Sequence, residues 1–256
     1  LKKIKQIVNN CGKIMLDVQK NYLEVQKKEG NNNIVTFYDK YIQSILKEKL
    51  TELIPNSIFF GEENDDYIRN FEKDKYVFIV DPIDGTTNFS RELKMSAISI
   101  ALLKNEQPIL AVGYMQELYT AIKGSGAFLN DERIHVSNKK LQDGILLAGC
   151  APYYNELRKK SLDILNKLSL IASDYRRYGS AVIELCNIAS GKAEVYFELK
   201  LMPWDYAAAS LIIQEAGGKI TTISGEKIQY KNPTSIIASN GAEDYIKYLE
   251  QDNFCK

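Results

Sequence analysis

The stretch VDPIDGTTNF, from Val80 to Phe89, closes an apolar run, YVFIV, with two acids, Asp81 and Asp84. Two carboxylates that close repel one another, and each loses hydration if it leaves water unpaired. A cation between them removes both costs. Other acids stand at similar places: Glu62 and Glu63 follow FFG, and Asp205 follows the single tryptophan in PWDYAAAS. Carboxylates with no histidine or cysteine beside them are hard oxygen donors, which select Mg²⁺, Mn²⁺ or Ca²⁺ over zinc. Of Asp81 and Asp84, one can bridge two cations while the other turns to the second, and the carbonyl of Ile83 offers a further oxygen. Gly85-Thr86-Thr87 then opens a short helix whose free N–H groups suit a phosphate. Paired cations of this kind activate a water and clamp a phosphoryl group. Each acid motif alone reads as a solvated turn; the combination points to chemistry.

Elements to hold these residues follow from periodicity. Ile4, Ile7, Val8, Cys11, Met15, Val18, Tyr22 and Val25 keep a helical period and predict a helix over 2–26. The polar segment KKEGNNN breaks it. Ile42, Ile45, Leu46, Leu50 and Leu53 mark a second helix, which Pro55 ends. The runs YVFIVD, MSAISIALL, PILAVGYM and LYTAIK read as strands, with GSGAFLN closing the series as a turn. From about Gly144 strands and helices alternate: ILLAGC, a helix over 155–171, a helix from Ser180 to Ser190, EVYFE, a helix over 206–216 closed by Gly217-Gly218, SIIAS, and a C-terminal helix. The reading is α+β, in two halves sharing one body. Residues 1–143 carry a helix pair on a mostly antiparallel sheet with the DPIDGTT motif, and residues 144–256 form an α/β subdomain with Glu198 and Asp205.

Composition narrows the partners. The 256 residues balance to a net charge of +0 with no basic block, which disfavours nucleic acid and acidic lipid. No apolar stretch approaches the ~18 residues of a membrane span. The N-terminus alternates charged and apolar residues and lacks a signal-peptide apolar block. Four scattered cysteines without paired spacing read as reduced thiols in a cytoplasmic protein. His135, the one histidine, reads as a surface residue, and the GSG at Gly124 as a hairpin turn and not a dinucleotide loop.

The motifs together resemble the inositol monophosphatase family. VDPIDGTTNF is similar to its signature, FFGEEN to its upstream Gly-Glu-Glu element, and PWDYAAASLIIQEAGG to its C-terminal Trp-Asp element; GSGAFLN and RRYGSAVIEL fall where the family has similar segments. The resemblance runs over nearly the whole chain, in order. It implies a layered α/β/α/β/α sandwich of the sugar phosphatase type, a cytoplasmic homodimer, two to three Mg²⁺ per subunit and sensitivity to Li⁺. It implies that Glu62, Asp81 and the Ile83 carbonyl bind the first Mg²⁺, and that Asp81, Asp84 and Asp205 bind the second. Thr86, paired with Asp39, would help Glu62 position and deprotonate the attacking water, while Gly85 and Thr86 N–H groups hold the phosphate. Gly179, Ser180, Ala181 and Glu198 would face the alcohol half of the substrate, with Asp84 and Asp205 nearby, and Lys28 would sit on a mobile loop near a third ion. Asn33 departs from the aspartate common in the family, which predicts weaker binding of that third ion.

The implied reaction is hydrolysis of inositol monophosphate by in-line attack of a metal-activated water. Fructose 1,6-bisphosphate, NADP and 3′-phosphoadenosine 5′-phosphate are alternative substrates for the same mechanism. DGTTNF lacks the lysine that the phosphoadenosine branch tends to carry after DGT, which favours the inositol side. A haloacid-dehalogenase-like reading of IDGTT fails, because Pro82 stands where that motif needs its nucleophilic acid. A non-catalytic metal-binding relative is disfavoured by the presence of every implied metal-binding acid.

Overall fold

The computed structural model of the chain describes residues 1–18, 25–27, 34–63, 71 and 74–247. Lys28, Asn33 and the expected C-terminal helix lie outside these residues. Helix α1 (Lys2–Val18) buries Ile4, Val8, Cys11 and Met15, one stripe of its surface. It stops short of the predicted end, because Val25–Lys27 (β1) pairs antiparallel with Ile34–Thr36 (β2). The apolar spacing fits a helix as far as Val25, but the strand pairing at Val25–Lys27 overrides it. Helix α2 (Phe37–Leu53) buries Ile42, Leu46 and Leu50.

Seven strands follow: β3 (Ile58–Gly61), β4 (Tyr76–Asp84), β5 (Ala97–Lys104), β6 (Gln107–Tyr114), β7 (Leu118–Ile122), β8 (Gly126–Leu129) and β9 (Glu132–Ile134). They form one sheet in chain order, antiparallel except for the parallel β3–β4 pair, with the short helix α3 (Thr86–Ser90) after β4. The segment read as a turn, GSGAFLN, is a turn only at its start: Glu215 accepts the N–H groups of Gly124 and Gly126, both at 2.7 Å, and Gly126–Leu129 continues as a strand.

The second sheet has the order β11-β10-β12-β14-β13. Its strands are β10 (Ile145–Ala148), β11 (Asp174–Arg176), β12 (Val195–Leu201), β13 (Lys219–Thr221) and β14 (Thr234–Ser239). Between them run α4 (Asn155–Ser169), α5 (Ala181–Ala189) and α6 (Pro203–Glu215). The exposed edge strand β11 carries no apolar alternation, so periodicity passes over it.

Alternation in β4 builds the layers. Phe78 and Val80 pack with α1 and α2 residues on one face, and Val77 and Ile79 pack with α5 and α6 residues on the other. The same two helices cover Tyr196, Ile236 and Ala238 of the second sheet, whose far face packs Val195 and Phe197 against Ile164 and Leu168 of α4. The result is the layered helix–sheet–helix–sheet–helix sandwich that the resemblance implies. Phe78 is 0% exposed at its centre. Phe78→Ala should lower stability by about 3–5 kcal/mol, the usual cost of an emptied aromatic site. Tyr175→Ala, on the exposed edge, should stay within about 0.5 kcal/mol. Urea midpoints measure both, and equal shifts would contradict the layer assignment.

Candidate active site

The acids converge because the backbone is irregular where they sit. A regular strand would point residues three apart to opposite faces. In β4, Asp81 lies across from Ser99 while Asp84 lies across from Ala97, so the strand carries one extra residue over that span. This bulge turns Asp84 to the side that Asp81 already faces. Glu62 arrives through the parallel pair, its N–H donating to the Val80 carbonyl at 3.1 Å, one residue before Asp81. Asp205 arrives on the first turn of α6. Trp204 beside it packs edge-on against Phe60 of β3 with ring centres 5.4 Å apart, and its carbonyl accepts Ser99 Oγ at 3.2 Å. The three acid motifs are thus tied to one another by their neighbours.

Carboxylate oxygens of Asp81, Asp84 and Asp205 lie within 4.8 Å of one another. Glu62 lines the same cavity, of about 690 Å³, outside that tight group. Each of the three aspartates spends one oxygen on a backbone N–H. Ile83 N–H donates to Asp81 Oδ1 at 3.0 Å, Val182 N–H to Asp84 Oδ2 at 2.7 Å, and Met202 N–H to Asp205 Oδ2 at 2.7 Å. Ser180 Oγ also donates to Asp84 Oδ2, at 2.5 Å, while capping α5. Among the described residues no lysine or arginine pairs with the three within 4.0 Å. A second oxygen on each aspartate remains for a cation. This all-oxygen donor set fits Mg²⁺, with the Ile83 carbonyl close by.

Charge without compensation shows in the acidities. Burial first, then Glu62, Asp84 and Asp205, holds Asp81 well above the ordinary carboxylate range. Burial, then Asp84 and Glu62, does the same to Asp205. Burial pushes Asp84 up to about 6, against the pull of its Ser180 and Val182 hydrogen bonds.

The expected water-handling pair meets as well: Thr86 Oγ1 lies 3.3 Å from Asp39 Oδ1 and 3.1 Å from the Ile83 carbonyl. Gly85 takes φ +84°, and a side chain there would press on the Met95 carbonyl and on Ser180. Gly179, Ser180, Ala181 and Glu198 all line the cavity.

A sequence model of the inositol monophosphatase family matches residues 2–253. The chain belongs to the inositol monophosphatase family. It is a phosphoric monoester hydrolase. The inositol-1-monophosphatase of Bacillus subtilis is 34% identical over 222 residues, 85% of this chain and 83% of the relative. The Nus factor SuhB of Escherichia coli is 33% identical over 232 residues, 87% and 85% of the two chains. Among solved structures, the extragenic suppressor protein SuhB of Bartonella henselae superposes with a TM-score of 0.88 at 31% identity, covering 98% and 96%. An IMPase/NADP phosphatase complexed with Mg²⁺ and phosphate superposes at 0.82 and 27%, covering 98% and 92%.

Residues that the motifs did not flag complete this family site. Asn88, inside TTNF, donates to the carbonyls of Met95 and Tyr178 at 2.8 and 2.7 Å. Glu184 accepts the N–H groups of Tyr178 and Gly179 at 2.5 and 3.2 Å, and burial pushes the pKa of its carboxyl up to about 8. Together they fix the corner that carries Gly179. Tyr153, Tyr154, Arg177 and Lys200 also line the cavity. Of these only Arg177 falls in a quoted segment, RRYGSAVIEL, and no pattern marks the other three.

The acidities set a pH dependence. Asp84 stands at about 6 when folded against an ordinary 3.8, and Asp81 and Asp205 shift the same way. Groups raised on folding contribute stability below their unfolded values and lose it as pH rises through the folded ones. The cation-free protein should therefore lose melting temperature from pH 5 to pH 8 through these acids. The gain on adding Mg²⁺ should widen over the same range. Melting curves at matched ionic strength test this, and an equal Mg²⁺ gain at both ends would remove the carboxylates as its source.

Proposed function

We propose that the chain hydrolyses inositol monophosphate with Mg²⁺ held by Asp81, Asp84, Asp205, Glu62 and the Ile83 carbonyl. The observation that carries this reading is the convergence of three buried aspartates, each with one oxygen left over, beside Thr86 and Asp39. Similarity to the Bacillus subtilis enzyme supports the choice of substrate. When bound, Mg²⁺ supplies the Lewis acidity that activates a water and stabilises the leaving oxygen. The remaining roles fall to the chain. Thr86 and Asp39 orient the water and take up its proton together with Glu62. The N–H groups at the start of α3 hold the phosphate, with Gly85 keeping that turn clear of side chains. Ser180, Ala181 and Gly179 face the alcohol half, on a corner fixed by Asn88 and Glu184. Two to three Mg²⁺ per subunit, Li⁺ inhibition, a cytoplasmic homodimer and a division of the chain at residues 143 and 144 belong to the same reading.

Phosphate release from inositol 1-phosphate should require Mg²⁺, stop with excess chelator, and be inhibited by Ca²⁺, whose looser shell misplaces the attacking water. Full rates in chelator would overturn the reading. Asp205 would help hold the cation that would supply charge stabilisation to the leaving oxygen, whose charge grows only in the transition state. Asp205→Asn should therefore lower kcat by about a hundredfold or more. Steady-state kinetics separate this from weakened binding, and a change confined to KM would move Asp205 to substrate recognition. Quenched reactions should contain no phosphorylated protein, since Asp81 and Asp84 are engaged as ligands; a trapped phosphoaspartate at either position would replace this mechanism with a covalent one.

A further inference from the structure

The corner that faces the alcohol half of the substrate turns on one peptide unit, the one joining Tyr178 to Gly179. Its carbonyl accepts a hydrogen bond from the Asn88 side-chain amide at 2.7 Å, and its N–H donates to Glu184 Oε1 at 3.2 Å. The same oxygen accepts the Tyr178 N–H at 2.5 Å. The two grips come from two elements of the site. Asn88 belongs to α3, beside the phosphate cradle, and Glu184 to α5, whose first turn holds Asp84 through the Val182 N–H. Both side chains are nearly out of solvent, Asn88 at 7% and Glu184 at 2% exposed.

The residue types suit the task. A side-chain amide carries two N–H donors, and Asn88 spends both on carbonyls, those of Met95 at 2.8 Å and Tyr178. An aspartate of the same size would turn oxygens on both. Gly179 follows the gripped peptide at φ +76°. Glycine crosses between positive and negative φ without a side-chain penalty, so this unit could turn over, exchanging its carbonyl and N–H, if nothing held it. The phosphate cradle is close enough for the difference to matter. A Cβ at Gly85 would lie 3.3 Å from the Gly179 carbonyl oxygen and 3.2 Å from the Ser180 Cβ, and one at Gly179 would lie 3.3 Å from the Asn88 amide nitrogen. Cradle and corner thus meet through two glycines, with Asn88 bracing one against the other.

We propose that Asn88 and Glu184 are specificity-determining positioning residues, which hold the Tyr178–Gly179 peptide from both ends so that the corner meets the substrate alcohol at a fixed distance from the phosphate cradle. This rests on the phosphatase reading above. Neither side chain is assigned to the phosphate or to the attacking water. Loss of either grip therefore weakens recognition of the alcohol and spares the cleavage step, a change in KM and not in kcat.

Two esters separate recognition from cleavage: inositol 1-phosphate, with a ring of hydroxyls for the corner to meet, and 4-nitrophenyl phosphate, whose ring carries none. Asn88→Ala and Glu184→Met should each raise KM for inositol 1-phosphate about tenfold, while its kcat and both constants for 4-nitrophenyl phosphate stay within about threefold. Glu184→Gln keeps an oxygen in place and should restore the original KM. Asn88→Asp, of unchanged size, gives the same test where a truncated variant does not fold. Calorimetry with Ca²⁺ in place of Mg²⁺ repeats the comparison without turnover: affinity for inositol 1-phosphate should fall about tenfold in the variants, and affinity for inorganic phosphate should hold. Equal losses for both esters, or a KM for inositol 1-phosphate that no variant changes, overturns the proposal. Failure of the unaltered protein to release phosphate from either ester with Mg²⁺ would instead overturn the phosphatase reading, and the calorimetric ratio would still decide the positioning role.

Discussion

Three carboxylates brought within reach of one another, out of water, form an assembly that opposes its own formation. The rest of the architecture can be read as the means of holding it. Each aspartate is steadied by a backbone N–H, from Ile83, Val182 or Met202, and those donors belong to β4, α5 and the lead-in to α6. The site is therefore assembled from the sheet of the first half and from the two helices that separate the sheets. These hydrogen bonds, with that of the Ser180 hydroxyl to Asp84, offset part of the cost. The residual charge is what a divalent cation relieves, and it is also what makes the site a place for phosphoryl chemistry.

Much of this was legible in the sequence, for reasons that differ residue by residue. Asp81 and Asp84 stand out because a buried strand has no ordinary reason to end in two acids. Asp205, more than a hundred positions away, could be grouped with them as a further acid at a similar place, but its role as a ligand of the same cation came only from the family resemblance, since no local spacing links the motifs. Although β8 was read as a turn, the helix pair, β4 through β7 and α4 through α6 showed through their apolar periods. The end of α1 did not, because the pairing of β1 with β2 is a tertiary event. Neither did β11, whose residues are all exposed.

The contributions missed altogether are those whose signal is a hydrogen bond and not a pattern. Glu184, Glu215 and Asn88 lie inside family-like segments of the sequence without a role of their own there, yet each closes two backbone groups at a turn. Glu198 was legible as an acid near the site but not as the group that fixes the Gly149–Tyr154 loop, because its partners are a backbone N–H and a tyrosine on its own strand.

The bulge in β4 makes the site depend on counting as well as on chemistry. A strand assigns its residues to two sides by odd and even position, and one surplus residue between Asp81 and Asp84 reverses the assignment for everything after it. The identity of Ile83 could drift among apolar residues of like size, since its backbone does the work. The length of the segment could not. Removing a single residue there would leave both aspartates in the chain and send one of them to the wrong side of the sheet, so in this stretch the number of residues is as much a functional constraint as any side chain.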